Sequence, residues 1–133
     1  MTTPAEWVSE SGLLCRAERN VELGVFCGYV ALPPSHPWHG RLYTECAWGC
    51  PSYPEPGWAH CLHDSIAEVV DVHGGVTFSE AFEGGWWIGF DCGHWCDTVP
   101  FPAFMYFGEG HDLTFDEVRA ETERMATQVA AVR

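Results

Sequence analysis

A chain of 133 residues with 19 acidic side chains, six arginines, no lysine and a net charge of -13 repels phosphate backbones at long range, which excludes ordinary nucleic-acid binding through clustered cations. Its 47% hydrophobic and 14% aromatic content, with seven Trp, excludes a disordered chain and predicts a single domain over residues 1–133 with a real core. No apolar run approaches the roughly 20 residues of a membrane span, and the MTTPAEW start lacks a basic and apolar leader, so a cytoplasmic protein with no membrane partner is expected.

Residues 13–19 and 24–32 are short β-prone runs. A three-residue loop of Asn20, Val21 and Glu22 between them places Cys15 opposite Cys27. The seven cysteines cannot all pair within one molecule, and a reducing cytosol leaves them as metal ligands or small buried hydrophobes. Cys15 and Cys27 are accordingly expected as reduced thiols on a buried face rather than as a disulfide. Residues 33–63 are rich in Pro and Gly and hold three of the cysteines, a composition that breaks helices and ladders and predicts a long irregular loop.

Regularity returns with the strand-like run Ile66 to Val72, which His73 ends. The clearest hairpin follows, Val76 to Phe82 and Trp86 to Cys92 on either side of Glu83, Gly84 and Gly85. With those three residues as the loop, Phe82 opposes Trp86, Phe78 opposes Phe90 and Thr77 opposes Asp91. Phe78, Glu80, Phe82, Trp86, Ile88 and Phe90 then share one face, with Thr77, Ala81, Trp87 and Asp91 on the other. The last segment is a helix opened by a capping box, Thr114 with Glu117. Phe115, Val118, Met125, Val129 and Val132 form its apolar stripe, while Glu121, Glu123 and Arg124 lie off it. The fold expected is α+β, an antiparallel sheet of four to five strands with the C-terminal helix packed on one face.

Two groups of residues carry chemistry. Cys46, Cys50, Cys61 and His63, with His60 as a substitute for the last, make a Cys3His set in a loop that needs ordering, which predicts a structural zinc. His73, Asp91, His94 and Asp97 lie at or beyond strand ends, where carboxylates and imidazoles serve metal-dependent hydrolysis or acid-base work. Read singly, each is equally a turn former or a hydrogen-bonded structural group. No Walker loop, dinucleotide glycine pattern or GxSxG elbow is present.

GYV (Gly28 to Val30), HPWHG (His36 to Gly40), HGGVTF (His73 to Phe78) and WWIGFDCGHWCD (Trp86 to Asp97), with the closing helix, resemble a family of small uncharacterised proteins common in phages of actinobacteria. The scarcity of Lys, Asn and Ile agrees with a GC-rich source. The family pattern around the last motif is GFDCAHAGD, so Gly93, Trp95 and Cys96 depart from it. The resemblance carries over His36, His73, Thr77, Asp91, Cys92, His94 and Asp97 as matching positions and implies no particular activity.

The resulting expectation is a small phage accessory protein in the host cytoplasm that binds a small molecule or a host protein, as an inhibitor or sponge acting on host defence. Its pocket is expected to use His36, Thr77, Trp87 and Trp95, with Trp86 also able to stack a planar ligand. An anionic nucleotide there needs Arg16, Arg19 or Arg41, or a bound cation, to overcome the net charge. The alternatives are a metal-dependent hydrolase on His73, Asp91, His94 and Asp97, and a structural zinc-containing scaffold.

Overall fold

The computed structural model describes residues 5–20, 25–48, 64–72, 74–91 and 114–132. Five strands, β1 (Ala5–Val8), β2 (Leu14–Asn20), β3 (Val25–Leu32), β4 (Phe78–Phe82) and β5 (Gly85–Asp91), form one antiparallel sheet in the order β1-β2-β3-β5-β4. Two helices complete the described elements, α1 (Ile66–Val69) and α2 (Phe115–Ala130). The α+β class, the antiparallel sheet and the C-terminal helix are as the sequence predicts.

The Thr114 hydroxyl accepts from the Glu117 amide and the Glu117 carboxylate accepts from the Thr114 amide, so two orphan donors of α2 are satisfied reciprocally. Val118, Met125 and Val129 are fully buried against the sheet, and Thr122 and Ala126 complete the stripe. Thr122 is tolerated there because its hydroxyl donates to the Val118 carbonyl at 2.8 Å. Beneath it lies Gly28 of β3, where a Cβ would stand 2.5 Å from the Phe90 ring. The missing side chain lets the helix sit close on the sheet.

Three expectations are corrected. Cys15 pairs with Val30 and Cys27 with Glu18, so the two thiols lie on opposite faces of the sheet. The burial pattern decides this register: it turns Cys15, Ala17, Gly28 and Val30 toward α2 and Arg16, Glu18 and Tyr29 away from it.

The second correction concerns the β4–β5 hairpin, which closes on two residues rather than three. Glu83 and Gly84 both take positive φ, 47° and 79°, the requirement of a type I′ turn, and Phe82 pairs with Gly85. The one-residue slip changes which residues share a face. Ser79, Ala81, Trp86, Ile88 and Phe90 belong to the helix side, and Phe78, Glu80, Phe82, Trp87, Gly89 and Asp91 to the other.

Third, the start of the strand-like run 66–72 is a single helical turn. Ser65 and Glu68 cap it with the same reciprocal box as Thr114 and Glu117.

Residues 33–48 contain no helix or strand, only turns and one bridge, Cys46 to Ser65. This part of the loop is ordered by a plug. Trp38 is 1% exposed and its indole N–H donates to the Ala47 carbonyl at 2.8 Å. Its amide donates to His36 Nδ1, which leaves His36 Nε2–H to donate to the Val129 carbonyl at 2.8 Å. Further bonds run from the Trp86 indole to the Arg41 carbonyl and from the Tyr43 amide to Ser79. The remainder of the expected loop lies outside the described residues. No helix among the described residues is long and apolar enough to cross a membrane.

Candidate functional site

The sheet face turned away from α2 carries the site. Along β5 that face reads Gly85, Trp87, Gly89, Asp91, a large ring between two positions with no side chain. Gly89 lies between Tyr29 of β3 and Phe78 of β4 in the pairing. The two rings meet edge to face across it, 5.2 Å between centroids, and a Cβ on Gly89 would collide with the Tyr29 ring. On the other side of Trp87, Gly85 faces Phe82 and the Trp87 indole N–H donates to the Phe82 carbonyl at 3.0 Å.

Tyr29, Phe78, Phe82 and Trp87 thereby line a cavity of about 240 Å³, closed by Arg16, Glu18 and Glu80. Trp87 is 5% exposed, so its ring is fixed in the wall, while Phe82 is 43% exposed at the mouth. The Arg16 guanidinium lies over the Phe82 ring, 5.1 Å from its centroid. It also bridges Glu6, Glu18 and Glu83 at 3.3 Å each. Three carboxylates around one guanidinium offset its positive charge toward an anionic ligand. Arg19 stacks on Phe26 at 5.6 Å instead.

Next to the cavity, Glu18, Cys27 and Asp91 form one row across three strands. Burial raises the Cys27 thiol pKa, and a hydrogen bond from Tyr29 lowers it in part. Burial first, and then Cys27, drive the Tyr29 hydroxyl well above the ordinary tyrosine range. Neither group supplies a thiolate or phenolate at neutral pH.

Among the residues expected to act, Trp87 lines the cavity, whereas Trp86 points to the opposite face. Thr77 and Asp91 do meet, the threonine hydroxyl donating to Asp91 Oδ2 at 3.0 Å. They meet although Thr77 is not Asp91's strand partner. His36 uses both ring nitrogens within the fold, tying the loop to the end of α2. Cys46 accepts from the Trp48 amide through sulfur at 3.3 Å. His73, His94, Asp97, Trp95, Cys50, Cys61, His63 and His60 lie outside the described residues.

Tyr29, Phe78 and Phe82 are site residues that the sequence does not single out, whereas Arg16, one of the three arginines considered for an anionic ligand, does line the cavity. The available signal was the alternation Gly85, Trp87, Gly89 on one face of a strand, where small residues beside a Trp open room for neighbouring rings. In comparisons with protein-family models, curated proteins and solved structures, the chain matches none.

Proposed function

We propose that this chain is a small phage accessory protein that binds a ligand or host factor, acting as an inhibitor or sponge in the contest with host defence. The observation that carries the binding reading is the preformed cavity of about 240 Å³ walled by four aromatic rings on the sheet face opposite α2. Among the described residues that line it there is no thiol or imidazole, and the Tyr29 hydroxyl is held protonated, which supports capture over turnover. Size, acidity and the HGGVTF and WWIGFDC motifs support the phage assignment. A structural zinc on Cys46, Cys50, Cys61 and His63 belongs to the same proposal, as a clasp for the second half of the loop.

Intact mass measured under native conditions beside a denatured control tests both parts. Protein isolated from infected cells is expected to carry added mass for a small ligand, absent after denaturation, and Phe78→Ala is expected to remove it. Added mass that survives Phe78→Ala places the ligand elsewhere and overturns the pocket. Zinc appears as a separate increment, lost on chelation and in Cys46→Ser.

A further inference from the structure

We propose that the aromatic cavity takes a quaternary ammonium cation, a proposal that rests on its being a ligand site. The charge around the rings selects the sign. One guanidinium, Arg16, stands among four carboxylates, Glu6, Glu18, Glu80 and Glu83. An incoming anion meets net negative charge and a cation is drawn in, on a chain of net charge -13.

The chain's own side chain illustrates the interaction. Arg16 already places a delocalised cation on the face of Phe82, 5.1 Å from the ring centroid, with carboxylates at its edge. Deeper in, Tyr29, Phe78 and Trp87 offer further ring surface with no cation on it among the described residues. Glu80 sits opposite Trp87 in the pairing and lines the cavity without a hydrogen-bond or ion-pair partner among the described residues. Among the described wall residues it is the carboxylate left to meet a ligand's charge.

Hydrogen-bond supply then separates kinds of cation. The Tyr29 hydroxyl is bonded to Cys27, the Trp87 indole to the Phe82 carbonyl, and Glu18 to Arg16. A primary ammonium carries three N–H donors and would leave most of them unpaired against rings, at a desolvation cost. A fully methylated nitrogen has no N–H to satisfy. The cavity's 240 Å³ falls below the range of about 300 to 1,000 Å³ typical of drug-sized ligands, which suits a single head group.

Calorimetric titration of the full chain with choline, with its neutral isostere 3,3-dimethylbutan-1-ol and with benzoate tests the proposal at constant ionic strength. Choline is expected to bind saturably and about tenfold or more tightly than the isostere. Glu80→Gln is expected to weaken choline several-fold while the isostere and the thermal midpoint stay unchanged, because Glu80 is exposed and unbonded. An isostere that binds as tightly as choline, or a preference for benzoate, overturns the cation while leaving the cavity a ligand site. Unchanged choline affinity in Glu80→Gln overturns it as well. If none of the three probes binds, and native mass shows no bound ligand, the cation and the ligand-site reading fall together.

Discussion

Gly28 and Gly89 pack on opposite faces of one sheet, and each is a glycine because another group occupies the place of its side chain. At Gly28 a Cβ would meet the Phe90 ring at 2.5 Å and crowd Thr122, both pinned in the core. Gly28→Ala is therefore expected to destabilise the fold by about 1 to 3 kcal/mol through overpacking, measured by urea unfolding. At Gly89 the neighbours are the Tyr29 ring and the Gly28 carbonyl at 2.7 Å, so Gly89→Ala is expected both to destabilise and to push the ring into the cavity. Gly85→Ala is the control. Its Cβ meets nothing closer than the Trp87 indole nitrogen at 3.4 Å, and stability within about 0.5 kcal/mol of the parent is expected. Equal losses at all three positions would show that strand glycine itself, rather than close approach, sets the effect. Trp38 follows the same logic for a polar group: Trp38→Phe keeps most of the ring but strands the Ala47 carbonyl, with an expected loss of about 1 to 3 kcal/mol.

Capping and turn chemistry decide how the elements are bounded. Thr114→Ala removes the acceptor for the Glu117 amide and is expected to lower stability by about 0.5 to 2 kcal/mol, which thermal unfolding measures. In the β4–β5 turn, Glu83 holds φ of 47°, a conformation that costs a non-glycine residue about 1 kcal/mol and that Asn tolerates better. Glu83→Asn also loses a contact to Arg16, but that carboxylate is 61% exposed and such pairs contribute little. The net expectation is a gain of roughly 0.5 kcal/mol, and a loss instead would show that the ion pair outweighs the strain.

The same elements show what could be read from sequence. The capping box and apolar spacing at Thr114–Val132 made α2 legible, because sixteen helical residues give the period room to repeat. α1 carries the identical box at Ser65 and Glu68, but four residues show no period, and Val69 with Val70 and Val72 just beyond it resembles a strand. The two strands around Glu83-Gly84-Gly85 were legible, their register was not. That triplet admits a loop of two or three residues, and only the burial of the finished sheet chooses between them. Parity then fixes the site: the three-residue loop pairs Phe78 with Phe90 and Phe82 with Trp86, whereas the two-residue turn sets them opposite Gly89 and Gly85, on the face of Trp87.

On the scale of the molecule, both faces of the sheet lose stability as pH rises into the alkaline range. Cys15, under α2, has its thiol pushed up to about 11 from an ordinary value of 9.0, by burial first and then by the charge of Glu123. The folded state holds the neutral thiol while the unfolded chain ionises near 9, so this contribution is complete below that pH. It is lost as pH rises toward 11, by roughly 2 kcal/mol. Cys27 and Tyr29 act in the same direction, so Cys15→Ala is the comparison that isolates the term. The variant is expected to be less stable at neutral pH but to decline less steeply in the alkaline range. Parallel declines would remove Cys15 from the account.

The His36 bond to Val129 spans 93 positions of chain. During vectorial synthesis, which proceeds N-terminal end first at about 5 to 20 residues per second, the loop at 33–48 therefore leaves the ribosome well before its fastener exists. The core side of the sheet, Cys15, Ala17, Val30, Ile88 and Phe90, waits for α2 over the same interval. A nascent chain halted after Asp91 and before Thr114 thus has its β4–β5 hairpin but no α2 to cover the apolar face, the form most open to aggregation.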